Sequence, residues 1–194
     1  CLISVVSENP DSFMFHTPSI TKTEVQAKAM RIPIVVKKTH GVKEEELDDL
    51  KKAIEIAVEK YKIEGVVTGA VESVYQASRV QNICAKLDLE CFNPLWQKNQ
   101  IELLEELIKN NFEIIVTGVA GEGLTKEWLG RKIDNKFIEE IKKLQDKYKI
   151  NPAGEGGEFE SFVLNCPMFK KSLKVVGKEI SGDGNAWKME VDIE

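Results

Sequence analysis

A chain of 194 residues, 42% hydrophobic and 30% charged, has the make-up of one globular domain or one and a half, with enough apolar residues for a real core. Its formal net charge of −5 argues against loose, charge-driven binding to nucleic acid, and no run resembles a membrane span or a signal peptide. Four cysteines (Cys1, Cys84, Cys91, Cys166) without a CxxC pair and only two histidines argue against a zinc site and suit a reducing cytoplasm.

Leu2–Val6 is a short apolar run ending in Ser7-Glu8-Asn9-Pro10, a strand followed by a turn. Because LISVV already reads as the middle of a buried strand, further residues are expected upstream of Cys1. In SFMFHT, His16 sits between Phe15 and Thr17 and reads more readily as a packing residue than as a catalyst. Thr23–Met30 suits a helix that stops before Ile32-Pro33, since the residue before proline avoids the helical region. Ile34–Val36 follows as a strand. Glu44–Tyr61 is the clearest helix, with Leu47, Leu50, Ile54, Ala57 or Val58, and Tyr61 forming one stripe. Its acids come first and its lysines later, as the helix dipole prefers.

Two segments echo one another: Glu64–Ser73 (EGVVTGAVES) and Glu113–Gly123 (EIIVTGVAGEG). Their apolar runs are continuous rather than alternating, as in strands of a parallel sheet covered on both faces. Between them lie helices at Val74–Leu87 and Ile101–Lys109 and a short strand at Leu89–Phe92. Asn99 and Glu102 stand in capping-box spacing. Alternating elements of this kind predict a doubly wound α/β fold with a mostly parallel sheet and right-handed crossovers.

Ligands of such folds sit beyond the carboxyl ends of the strands, so the loops after Val6, Val67 and Val116 are the expected floor of a site. Gly69 and Gly118 would let a nucleotide approach the backbone. Gln76 and Arg79 share a helix face near its positive end, which favours phosphate or carboxylate; an arginine dressing the surface is an equal alternative. After Gly118 the sequence changes character, with GEGLTKEWLGRKID and a helix at Phe137–Tyr148. A smaller C-terminal α+β subdomain is therefore expected over 120–194, after a nucleotide-binding domain over 1–119. Leu173 and Val175, then Trp187, Met189, Val191 and Ile193, alternate with polar neighbours and predict an antiparallel hairpin. Its edge could serve a homodimer.

The most distinctive stretch is Pro152–Lys171, PAGEGGEFESFVLNCPMFKK. Gly154, Gly156 and Gly157 alternate with Glu155, Glu158 and Glu160 before a buried strand through Phe159, Phe162, Val163 and Leu164. Glycine, acid and strand together suit a ligand carrying cationic or amino groups, or a magnesium-bound phosphate. A solvated turn ahead of a strand has equal weight on composition alone.

VSENPDSFMFHT, TGAVESVYQASR, ECFNPLW, GEGLTKEWLGRKID and AGEGGEFESFVLNCPMFKK together resemble the diphthine–ammonia ligase family, N-type ATP pyrophosphatases of the PP-loop superfamily. The resemblance runs from Cys1 to Lys171. It implies adenylation of the diphthine carboxylate on the translation elongation factor, with ATP and Mg2+, then attack by ammonium-derived ammonia. No direct nucleic-acid or membrane partner is implied. The family's SGGKDS phosphate loop is absent from these residues, Ala77 stands where relatives often carry a basic residue, and Ser161 where threonine is usual. By the same resemblance Val5, Val6 and Ser7 would contact adenine, while Gly69, Gly118 and Gln76 would border the nucleotide. Arg79 and Glu158 would serve catalysis. Tyr75, Trp128, Arg131, Glu155, Gly156, Gly157 and Glu160 would meet the acceptor. Trp128, and after it Phe159, would offer a cation–π face to its trimethylammonium group. Arg131 would pair with the substrate carboxylate or, in the slightly preferred reading, with Asp134. The resemblance gives no magnesium ligand. Two other readings remain at this level: a regulatory module that holds ATP without chemistry, and a PP-loop tRNA-modifying enzyme.

Overall fold

The computed structural model describes residues 1–9, 15 and 19–194; His16 lies outside them. In chain order the elements are β1 (Leu2–Ser7), α1 (Thr23–Met30), β2 (Ile34–Thr39), α2 (Glu46–Tyr61), β3 (Gly65–Val67), α3 (Val74–Lys86), β4 (Glu90–Phe92), α4 (Gln100–Lys109), β5 (Glu113–Val119), α5 (Asn135–Tyr148), β6 (Phe159–Asn165), β7 (Val175–Asp183) and β8 (Ala186–Ile193). The chain divides into two compact units. The first comprises 1–21 and 32–97, the second 22–31 and 98–194.

The first unit is the α/β part. β1 pairs in parallel with β2, Leu2 opposite Ile34 through Ser7 opposite Thr39, and β3 pairs in parallel with β4. The parallel strands thus form two hydrogen-bonded pairs rather than one continuous sheet. Val5 of β1, Leu50 and Ile54 of α2, and Val80, Ile83 and Cys84 of α3 are buried in one apolar cluster. Val35, Ala53 and Ala57 form a second. The stripe read along α2 is the side that turns inward, because residues three and four apart lie on one helix face. Lys62, in the left-handed region at φ 55°, closes α2 by donating its N–H to the Val58 carbonyl.

Cys84 is fully buried, and burial, followed by the neighbouring Cys91 thiol, pushes its pKa up to about 11 from 9.0. At pH 8 a thiol reagent is therefore expected to modify exposed Cys1 at once and Cys84 only as the protein opens. Peptide mapping after timed labelling checks this; equal rates at the two thiols would contradict the buried site. Since the folded pKa lies above the unfolded one, this proton stabilises the fold fully below about pH 9, and that contribution is lost as pH rises through about 11.

The second unit is built on a four-stranded antiparallel sheet in the order β6-β5-β8-β7. β5, expected to be parallel, is instead an inner strand pairing antiparallel with β6 and β8. Its continuous apolar run is explained by burial of every residue from Ile114 to Val119; such a run reports cover on both faces, not strand direction. The division near residue 97 therefore falls ahead of α4 rather than after β5, in contrast to the 119/120 boundary read from sequence. α1 belongs to this unit: Gln26 Nε2 donates to the Val163 carbonyl at 2.9 Å, and Lys170 N donates to the Ala29 carbonyl at 2.7 Å. The predicted hairpin forms as β7 and β8, with Trp187 opposite Gly182. β7 is an outer strand carrying Lys178, Glu179 and Asp183, charges that discourage pairing with another edge. Among the described residues, no helix is long and apolar enough to cross a membrane.

Candidate functional site

In the first unit, the carboxyl ends of β1 and β2 are stitched together by short polar contacts. Ser7 is buried; its hydroxyl donates to the Asn9 carbonyl and accepts from Asn9 N, each at 3.1 Å. Asn9 Nδ2 donates to the Gly41 carbonyl at 3.0 Å. Gly41 has φ +70°, and a Cβ there would lie 2.2 Å from Ser7 Oγ, so only glycine fits this closure. Val5 is buried in the core, and Ser7's hydroxyl is engaged. Asn9 and Gly41 complete this corner; the sequence offered Asn9 only as a turn residue and gave no sign of Gly41. After β3, a Cβ on Gly69 would meet nothing within 4 Å, so the backbone there is open to a ligand.

The start of α3 carries an arginine. Ser73 caps the helix, its side chain accepting from Gln76 N. One turn on, Arg79 lies over the Tyr75 ring with its guanidinium carbon 3.5 Å from the ring centroid. Arg79 Nε donates to Glu44 Oε1 at 3.1 Å and Nη2 to the same oxygen at 2.5 Å; Tyr75 Oη donates to it at 3.3 Å. These hydrogen bonds, above all that from Arg79, hold the Glu44 carboxyl below the usual carboxylate range. Glu44 itself sits at φ +69°. The cluster borders a cleft of about 410 Å³ lined also by Lys51, Ser78, Asn82 and Lys86.

In the second unit, two of the distinctive stretches converge on β5. Val116 N donates to the Arg131 carbonyl, and Gly130 N donates to the Val116 carbonyl, tying WLGR to the strand. On β6, Glu160 stands opposite Gly118 and Ser161 opposite Val116. Gly118 is thus inside a sheet, paired on both sides, and not in a loop beyond a strand end. Ala120 N and Gly121 N both donate to the Glu158 carbonyl, which brings the acid–glycine loop to the end of the same strand.

That loop is internally braced. Glu158 Oε1 accepts from Asn151 N at 2.7 Å and Asn151 Nδ2 at 2.8 Å, while Oε2 accepts from Gly156 N at 2.8 Å. Gly154 has φ +79°, and a Cβ there would lie 2.7 Å from the Phe159 carbonyl oxygen. Gly157, at φ +82°, is exposed with open space beside it; Gly156 is exposed too, and Glu155 and Glu160 are half-buried.

Trp128 does not offer its face to a ligand. It is 8% exposed, and the Arg131 guanidinium already covers the indole, 4.1 Å from its centroid. Phe159 is buried as well; both rings meet Phe137 edge-on, at 5.3 and 5.5 Å. Arg131 Nη1 donates to Glu140 Oε2 at 2.7 Å, not to Asp134 as the spacing suggested. Asp134 is committed elsewhere: it caps α5, accepting from Phe137 N at 2.8 Å.

The comparisons with known proteins follow the same two-part division. Residues 1–91 match the diphthamide synthase N-terminal domain, and residues 99–192 match the diphthamide synthase C-terminal domain. The diphthine–ammonia ligase of Bos taurus is 35% identical over 188 residues, covering 91% of this chain and 70% of that protein. The chain belongs to the diphthine–ammonia ligase family. The ligase of Homo sapiens is 34% identical over 190 residues, covering 91% of this chain and 70% of that protein. That of Schizosaccharomyces pombe is 32% identical over 182 residues, 88% of this chain but 30% of its own length. Family membership therefore extends over both units, and the WLGR and EGGEFE stretches both lie in the part matching the C-terminal domain.

Proposed function

We propose that this chain carries out the ATP-dependent amidation of diphthine on the translation elongation factor to diphthamide. The support is the tandem match of its two units to the two diphthamide synthase domains. A carboxylate is a poor electrophile, because its charge repels nucleophiles and an oxide ion is a poor leaving group. As co-substrate, ATP supplies a leaving group: a carboxylate oxygen bonds to the α-phosphorus and pyrophosphate departs. The ammonia nitrogen then bonds to the carbonyl carbon, AMP leaves with the electrons of the carbon–oxygen bond, and nitrogen loses a proton.

In the first unit, the strand-end backbone at Val5–Ser7, the open backbone at Gly69 and the Gln76–Arg79 turn of α3 suit a nucleotide. Among the described residues, no trio of His, Cys, Asp or Glu gathers that could hold a metal ion. Magnesium here would travel on the phosphates, with few protein ligands, as this ion commonly does. In the second unit, Glu155 of the braced loop and Glu160 of β6 suit the trimethylammonium group of diphthine, a cation that cannot donate hydrogen bonds.

The test incubates full-length protein with diphthine-bearing elongation factor, ATP, magnesium and ammonium. AMP and pyrophosphate are expected in step with amide, read by mass spectrometry of the modified peptide. Tight ATP binding with no AMP and no amide would overturn the reading in favour of a regulatory module.

A further inference from the structure

We propose that Glu158, together with Gln100 and Asn151, is a positioning residue that fixes the shape of the acid–glycine loop and so sets its grip on the acceptor; this rests on reading that loop as the acceptor-binding element. Both carboxylate oxygens of Glu158 are spent on its own loop, on Asn151 N, Asn151 Nδ2 and Gly156 N. Three N–H groups occupy most of the acceptor sites of this carboxylate, and such charge-assisted bonds are among the stronger ones in proteins. The main-chain carbonyl of the same residue holds Ala120 N and Gly121 N, so Glu158 ties the loop to the end of β5 as well as to itself.

Gln100 grips the loop from the other side. It is the first residue of α4 and 7% exposed. Its Oε1 accepts from Ala153 N at 2.9 Å, and its Nε2 donates to Asn151 Oδ1 at 3.2 Å. Asn151 therefore passes the connection on: it accepts from Gln100 and donates to Glu158. Three side chains from two separate parts of the sequence form one continuous network around Gly154–Gly157. Networks of this kind rigidify a segment only when every member is satisfied.

Glu158→Gln breaks it in a defined way. A glutamine amide has one accepting oxygen and one donating nitrogen, so either Gly156 N–H or the Asn151 donors would face another donor. Gln100→Ala removes the brace from the far side and touches no acid. Both variants are expected to raise the KM for diphthine-bearing elongation factor about tenfold, with the KM for ATP unchanged and kcat within about threefold. The double variant is expected to be little worse than either single one, as for members of one network. Amide hydrogen exchange at Gly156 and Gly157 should quicken in both, while the α5 amides keep wild-type protection and report that the unit remains folded.

A fall in kcat for Glu158→Gln at unchanged acceptor KM and unchanged loop exchange would make Glu158 a direct catalyst and overturn the proposal. So would a Gln100→Ala protein indistinguishable from wild type. The exchange measurement needs no turnover. If the wild-type chain makes no amide yet the loop still loosens in both variants, the functional reading fails while the brace stands.

Discussion

Phe137→Ala is expected to destabilise the second unit by about 3–5 kcal/mol, the range for deleting a buried aromatic ring. Phe137 is fully buried in the first turn of α5. Its ring contacts Trp128 and Phe159 edge-on, each contact contributing roughly 0.5–1.5 kcal/mol beyond area burial. Trp128 opens the WLGR stretch and Phe159 follows the acid–glycine loop directly, so the ring couples two otherwise separate segments. Whole proteins are stable by only about 5–15 kcal/mol, so a loss of this size is a large share. A fall in melting temperature on the order of 10 °C or more is expected, with quickened exchange in α5 and β6 and a weakened near-ultraviolet signal from Trp128. Phe137→Leu should recover most of the loss, because it refills most of the cavity. A cost below about 1 kcal/mol for alanine would mean that the cluster relaxes freely and is not the pivot of this unit.

The helices were legible because their information is local. α2 shows its stripe and its charge gradient, and α4 shows its Asn99 cap, whose side chain accepts from Ile101 N and Glu102 N. Apart from the β7–β8 hairpin, strand partners were not, since pairing depends on residues far away. The two Thr-Gly segments look alike in sequence, yet one ends a parallel strand while the other lies inside an antiparallel sheet. Thr68 Oγ1 donates to Asn93 Oδ1, whereas Thr117 Oγ1 is buried with no hydrogen-bond partner among the described residues. The acid–glycine loop was found from its composition. Its braces were not, because Gln100 lies 51 positions before Asn151 and carries no mark beyond opening a helix. Trp128 and Arg131 were read separately, one for a ligand's cation and the other for a carboxylate, and spacing could not tell that the arginine would cover the indole itself. Glu140, nine residues from Arg131, also escaped notice, since the nearer Asp134 offered the simpler pairing.

Arg79→Ala is expected to lower kcat/KM for ATP by about 10²–10³-fold, the usual cost of removing a preorganised donor to a developing charge. Little change in melting temperature should accompany it, because Glu44 is more than half exposed and an ion pair of this kind contributes little. The diagnostic comparison is Glu44→Ala. Glu44 takes the Nε and Nη2 edge of Arg79, the edge a phosphate oxygen would occupy. If Arg79 serves the nucleotide, removing the competing carboxylate should leave ATP affinity unchanged or raise it, opposite in sign to the loss of the arginine. If the pair is only a surface ion pair, the two variants should behave alike and neither should alter turnover. Arg79→Lys should fall between wild type and alanine, keeping the charge but losing the planar fork. The pH profile adds a further check. The Glu44 carboxyl is held below its ordinary value by the Arg79 hydrogen bond, so the pair persists at neutral pH and breaks only as pH falls through that lowered pKa. Any ionisation near neutrality in the wild-type profile should therefore remain in Glu44→Ala. Its disappearance would show that Glu44 titrates in the nucleotide-binding step and that the carboxylate is not held low as the geometry requires.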